Sequence, residues 1–257
     1  LIICEQGIGD NIQFLRYIKL INKNNTRIIL LLKKNINSHI TSIDNVDKIL
    51  VYKDDIPKFD YYIYLLSLPN IFSKKNIPEP LNIFNIDVKL SNKWNNYFAK
   101  YRDNLNVGIC WQGDSINNSK DYKRSIHLKH FETILNIPNI NYYSLQKHEG
   151  INQLKEVNTE NLIIFDKSYD QKPFADTLCI IQNLDLIISV DTSIAHIAAT
   201  MEKNTWILLS KACDYRWGIN DKTTKWYKKV KLFRQTELNQ WDDVINNLKQ
   251  HLLIEKK

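Results

Sequence analysis

The chain of 257 residues is 44% hydrophobic and 25% charged, which excludes wholesale disorder and allows two packed domains. Six glycines and six prolines exclude collagen-like and linker-like compositions, and no apolar run reaches the ~18–20 residues of a membrane-spanning helix. A net charge of +7 admits a nucleic-acid binder, but the lysines fall in scattered pairs (Lys33-Lys34, Lys74-Lys75, Lys228-Lys229, Lys256-Lys257). That scatter reads as a solvated surface whose field attracts anionic substrates, with no nucleic acid as partner.

Leu1–Cys4 reads as a buried strand with no initiator methionine and no secretory leader, so the chain is expected to be cut from a longer protein. Asn11–Ile21 has helical spacing, with Ile12, Phe14, Leu15 and Ile18 facing inward. Arg27–Leu32 is a strand, Asn35–Ile43 a short helix, and Lys48–Tyr52 and Tyr61–Leu65 are two further strands. A linker runs from Pro78 to Asn85, and Asn92–Tyr101 is helical.

A second series follows. Val107–Trp111, Tyr142–Leu145, Leu162–Phe165, Leu186–Val190 and Trp206–Leu209 are strands, with a short late one at Val230–Phe233. Leu128–Leu135, Phe174–Asn183 and Ser193–Met201 are helices. Trp241–Leu253 is a last helix, with Trp241, Val244, Ile245, Leu248 and Leu252 on one stripe. Continuous apolar strands separated by helices indicate an α/β fold of parallel sheets covered on both faces. The division is 1–88 for a first Rossmann-like domain, 89–240 for a second, and 241–257 for the C-terminal helix.

Ligand groups in such sheets follow the strands. Glu5-Gln6-Gly7-Ile8-Gly9-Asp10 comes after the first strand. Gly7 and Gly9 permit a tight turn beside a ligand, with Gln6 at the same rim, and the helix beyond offers free N–H groups. Asp10 suits a helix N-cap as well as a proton acceptor. The third glycine of a dinucleotide fingerprint is missing.

Ser189-Val190-Asp191-Thr192-Ser193-Ile194-Ala195-His196 runs from a strand into a helix rich in small residues. Asp191, Thr192, Ser193 and His196 there suit a phosphate, or an ordinary cap on a buried helix. Trp111-Gln112-Gly113 leads into a polar loop ending in Lys123-Arg124-Ser125-Ile126. Lys123 and Arg124 are candidates for a pyrophosphate, with Gln112 beside them. Gln146, in Ser144-Leu145-Gln146-Lys147, has the donors and acceptor to meet a base or ribose edge. Asp214-Tyr215-Arg216-Trp217 and Trp226-Tyr227 supply aromatic groups for covering a sugar or for packing between domains.

Cys4, Cys110 and Cys179 sit in apolar stretches and are expected to be small buried hydrophobes in a reducing compartment. No spacing suggests a metal site. His127, His130 and His148 are read as surface or structural residues.

Taken together, Glu5–Tyr17, Trp111-Gln112-Gly113, Arg124-Ser125-Ile126, Ser144–Lys147, Ser189–His196, Trp226-Tyr227 and Leu232-Phe233-Arg234-Gln235 resemble one family. It is the glycosyltransferase domain that follows tetratricopeptide repeats in many bacterial proteins, related to glycosyltransferase family 9, the lipopolysaccharide heptosyltransferases. The resemblance implies a GT-B-like fold, with two Rossmann-like domains facing across a cleft and the C-terminal helix returning to the first. It implies an inverting, metal-independent transfer from a nucleotide-diphosphate sugar, with no further cofactor.

Asp10 then aligns with the family's proposed general base. Asp191, Thr192, Ser193 and His196 align with its donor-phosphate helix start, where Ser193 replaces a common Gly. Arg124, with Lys123 beside it, aligns with the basic donor contact, and Gln146 is the candidate for reading the base. The acceptor is a protein side chain or a cell-envelope saccharide, and an upstream repeat domain is expected. The expected location is the cytoplasm or the inner-membrane periphery. The competing reading is a non-catalytic nucleotide-sugar or protein-binding module that keeps the fold.

Overall fold

The computed structural model of the protein describes residues 1–33, 39–40, 42–72, 77–113, 124–157, 161–166, 169 and 172–255. The helix expected over 35–43 lies largely outside these residues, and Lys123 lies wholly outside them.

Two separate sheets organise the chain. The first holds β1 (Ile2–Ile3), β2 (Ile29–Leu32), β3 (Lys48–Val51) and β4 (Ile63–Tyr64) in the order β3-β2-β1-β4. The second holds β5 (Leu105–Cys110), β6 (Ile140–Ser144), β7 (Leu162–Ile163), β8 (Leu186–Val190), β9 (Asn204–Leu209) and β10 (Val230–Arg234) in the order β10-β9-β8-β5-β6-β7. Every pairing between these strands is parallel. All residues of β2 and of β8 are buried, which is why both read as unbroken apolar runs. In each sheet the strand order reverses beside its first strand, between β1 and β4 and between β5 and β8. Such a reversal opens a crevice beyond the C-terminal strand ends.

The helices are α1 (Ile8–Phe14), α2 (Leu68–Ile71), α3 (Val88–Phe98), α4 (Glu132–Leu135), α5 (Ala175–Asn183), α6 (Ser193–Thr200) and α7 (Asp242–Glu255). α1 starts ahead of the expected Asn11 and tightens into a 3-10 turn over Leu15–Leu20. Ile12, Phe14, Leu15 and Ile18 are all buried, as their spacing required. α3 begins ahead of the expected Asn92 because the Asp87 carboxylate accepts the Leu90 N–H at 2.8 Å. α3 packs on α5, with the Trp94 indole donating to Asp176 at 2.7 Å.

The buried stripe of the last helix lies elsewhere than the resemblance implied. Trp241, Val244, Ile245, Leu248 and Leu252 share one core with Val107, Ile109, Trp206 and Phe233 of the second sheet. That sheet supplies the apolar partners, so α7 completes the second domain rather than returning its stripe to the first.

The two domains are joined through α1 and α6. Ile12 and Phe14 belong to the same core as Ile194, Ile197 and Ala198. Trp226 packs on Phe14 and Tyr17, with ring centroids 5.4 and 6.4 Å apart. The buried Arg16 guanidinium donates to the carbonyls of Trp226 (2.6 Å) and Pro78 (3.2 Å), and lies 4.7 Å from the centre of the Tyr227 ring. Trp226 and Tyr227 are therefore packing between the domains, while Tyr215 is exposed.

Candidate active site

The turn after β1 is shaped for close approach. Gln6 adopts a positive φ of 59°, and its carbonyl accepts from Lys33. The Glu5 carboxylate accepts the N–H groups of Leu65 and Leu66, both at 3.1 Å, which ties the end of β1 to the turn after β4. Gly7, not Asp10, is the N-cap of α1. Asp10 closes that cap from the third helical position, where its Oδ2 accepts the Gly7 N–H at 2.8 Å. Its other oxygen points to the seam between the domains.

Across that seam the Asp10 Oδ1 meets Arg216 Nη2 at 2.6 Å. Arg216 follows β9, and its guanidinium also binds Asp214 Oδ1 through Nε (2.8 Å) and Gln13 Oε1 through Nη1 (2.8 Å). Burial alone would lower the Arg216 pKa. The carboxylates of Asp214 and Asp10 outweigh burial and raise it, so the cation is permanent.

The glycine at position 9 brings the two rims together. A Cβ there would fall 2.5 Å from His196 Cδ2. No side chain fits, so α1 lies directly on the first turns of α6. The His196 ring is buried, stacked on Trp217 at 5.5 Å, and its Nδ1 pairs with the Tyr227 hydroxyl at 2.9 Å.

Asp191 follows β8 and is buried. Its Oδ2 accepts the Trp217 indole N–H at 2.8 Å, and its Oδ1 lies 3.5 Å from His196 Nε2. Burial would push this carboxyl up. His196, Trp217 and Arg216 together outweigh burial and hold it low, at about 2. Thr192 is the N-cap of α6, but its hydroxyl turns to Ser189 Oγ at 2.9 Å and makes no capping bond. Asp191, Thr192 and His196 thus form the support of the helix start. Half-buried Ser193 and the backbone N–H groups of that start remain for an anion.

Beside it, Arg124 lies against Gly113 at the end of β5, where a Cβ would come within 2.9 Å of its Nε. The chain is held there by Gly113 N–H to Ser125 Oγ (3.1 Å) and Ile126 N–H to the Trp111 carbonyl (2.9 Å).

Gln146 does a different task from the base contact expected of it. Its Oε1 accepts from Trp111 N (3.0 Å) and Gln112 N (2.9 Å). Its Nε2 donates to the carbonyls of Gln112 (3.0 Å) and Glu149 (2.9 Å). The amide is fully engaged in pinning the end of β5. Gln112 in turn accepts from Gln153 Nε2 at 2.9 Å. Cys110 Sγ lies 3.4 Å from Gln146 Oε1, and burial pushes its thiol up, so it stays protonated.

Two cavities, of about 200 and 510 Å³, lie at the opposite, N-terminal ends of the second sheet's strands, beside Asn106 and Asp185 and beside Asn204 and Val230. The candidate site lies instead where the ionisable groups Asp10, Arg216, Asp191 and His196 converge. Among the described residues no group of three or more His, Cys, Asp or Glu side chains gathers as for a metal ion, and no helix is long and apolar enough to cross a membrane.

The sequence matches no protein-family model and no curated protein. The structure is similar to solved ones over nearly its whole length. E. coli ADP-heptose lipopolysaccharide heptosyltransferase II superimposes with a TM-score of 0.62 at 12% identity, covering 100% of this chain and 99% of that one. The chain has the GT-B fold. E. coli heptosyltransferase WaaC with ADP-2-deoxy-2-fluoro heptose gives 0.62 at 9% identity, covering 99% of each chain. A glycosyl transferase family 9 protein from Veillonella parvula gives 0.61 at 8% identity, covering 99% of this chain and 88% of that one. In GT-B terms, Asp10 stands on the first-domain lip and the α6 start on the second-domain lip.

Arg216 was absent from the sequence-derived site. The signal available was its place just after a strand of the second sheet, beside Asp214 and between two aromatic residues. No pattern in the sequence couples it to Asp10.

Proposed function

We propose that the protein is a glycosyltransferase moving a sugar from a nucleotide-diphosphate donor to an acceptor hydroxyl. The observation that carries this is the contact of Gly9 with His196, which sets a carboxylate and an anion-binding helix start side by side across the domain seam. Asp10 takes the proton of the acceptor hydroxyl as the hydroxyl attacks the anomeric carbon from the face opposite the leaving diphosphate, with inversion. Ser193 and the N–H groups at the start of α6 receive the diphosphate, and Arg124 meets its charge. On this reading these groups carry the diphosphate's charge and the transfer is metal-independent. Asp191, Thr192, His196 and Gln146 hold this lip in shape. Gln6, Gly7 and Gly9 form the acceptor-side turn, while Gln112 belongs to the donor side.

The family likeness favours a sugar nucleotide as donor and a protein side chain or envelope saccharide as acceptor. It also favours a cytoplasmic or inner-membrane-peripheral setting, downstream of a repeat domain. Asp10→Asn keeps an oxygen for the Gly7 N–H, so the variant should stay folded. Its donor turnover should fall about 10²–10⁴-fold while donor binding is not weakened.

One observation favours a second reading, a binding module without turnover. Both Asp10 oxygens are engaged, one by Gly7 and one by Arg216. On that reading Asp10 is a latch between domains, and Asp10→Asn changes stability while no sugar is ever released.

A further inference from the structure

We propose that Arg216 is a clamp shared between Asp10 and the donor diphosphate, so that donor binding releases the base. This rests on the glycosyltransferase reading above. Arg216 belongs to the second domain, yet it reaches α1 of the first at two points, Asp10 Oδ1 (2.6 Å) and Gln13 Oε1 (2.8 Å). Its Nε is anchored on its own side by Asp214 (2.8 Å). Because the guanidinium is planar, both terminal nitrogens turn together about this anchor. A guanidinium has five N–H groups. Three are engaged by these contacts, which leaves one on each terminal nitrogen for an incoming oxyanion.

The position is suited to that exchange. Trp217, the next residue, donates to Asp191 at the start of α6 (2.8 Å), which holds Arg216 beside the helix end assigned to the diphosphate. Its side chain is only 11% exposed, so few waters compete for it. An arginine fork binds phosphate in a paired geometry that a single carboxylate oxygen does not match.

Asp10 Oδ1 is held by the guanidinium and Oδ2 by Gly7, so a cation sits on the oxygen that faces the seam and opposes its taking a proton from an acceptor hydroxyl. Moving the fork onto the diphosphate frees Oδ1 and places the cation on the leaving group. The base thereby loses its cation partner only when a donor is present.

The exchange makes Asp10 a competitor of the donor for Arg216, and that competition is measurable as binding. Titration calorimetry on the full chain with ADP, UDP and GDP would compare wild type, Asp10→Asn, Arg216→Gln, Arg216→Lys and the double variant, each checked for its melting temperature. The clamp requires Asp10→Asn to bind the preferred nucleoside diphosphate more tightly, by roughly fivefold to tenfold. Arg216→Gln should weaken binding about tenfold, and Arg216→Lys should fall between. In the Arg216→Gln background, Asp10→Asn should change nothing. Arg216→Gln tests the cycle only if it folds, but Asp10→Asn against wild type decides without it. A wild type that binds while Asp10→Asn binds equally or more weakly overturns the clamp and leaves the donor site standing. A wild type that binds none of the three overturns both.

Discussion

Replacing Gly9 with alanine tests the seam between the domains. In an isolated helix the change would stabilise by about 1 kcal/mol, since glycine is the poorer helix former. The structure predicts the opposite sign. The new methyl would sit 2.5 Å from His196 Cδ2 and 3.3 Å from Cγ and Nε2, where carbon contacts settle near ~3.5–4.0 Å. The ring cannot retreat freely, because it is stacked on Trp217 (5.5 Å) and bonded to the Tyr227 hydroxyl (2.9 Å). Overpacking of this kind costs about 1–3 kcal/mol, and a lost hydrogen bond adds about 1. After subtracting the helix preference, Gly9→Ala should destabilise by roughly 1–3 kcal/mol, a fall in melting temperature of roughly 2–10 °C. Urea and thermal unfolding measure this directly. On a His196→Ala background the same alanine should cost much less, because the obstructing ring is gone. A Gly9→Ala protein as stable as wild type, or more so, would refute the contact that joins the two lips.

Asp191 predicts an acid limb in stability. Its carboxyl is held at about 2 against an ordinary 3.8, because His196, Trp217 and Arg216 together outweigh its burial. Its stabilisation is therefore complete above pH ~4 and is lost as the pH falls toward ~2, amounting to about 2 kcal/mol. Denaturant midpoints of wild type and Asp191→Asn between pH 5 and pH 2.5 should converge as the pH falls, and parallel curves would contradict this. Arg16→Met should cost several kcal/mol, since the carbonyls of Trp226 and Pro78 lose a buried donor at about 1–3 kcal/mol each. Chemical unfolding checks that value, and a change under 1 kcal/mol would show that the seam does not depend on Arg16.

The strands were the most legible part of the chain, because central parallel strands are buried on both faces and leave continuous apolar runs. Helix ends were less so. Asp87 started α3 early, and α1 tightened into a 3-10 turn at Leu15. The placement of α7 depended on which sheet its stripe met, and an amphipathic pattern does not specify its partner.

The same limit applied at the site. Strand-end motifs named Asp10, Asp191, Thr192, Ser193 and His196, and the contact of Gly9 with His196 brings them together. The inward turn of Asp191 and His196, and the engagement of the Gln146 amide by main chain, arise from tertiary packing that local sequence does not encode. The coupling of Arg216 to Asp10 joins the two ends of the chain through space. Its only trace in the sequence was a charged residue at the right rim.

The central claim is that a nucleotide-diphosphate sugar binds at the start of α6, and the most direct measurement is the melting temperature of the full chain with ADP, UDP and GDP and their sugar conjugates. At about 100 times its dissociation constant, the matching nucleotide should stabilise the fold by about 2.7 kcal/mol. Arg124→Ala should remove that rise without lowering the unliganded melting temperature by a similar amount. No rise with any member of the panel would contradict the claim, as would a rise that Arg124→Ala leaves untouched.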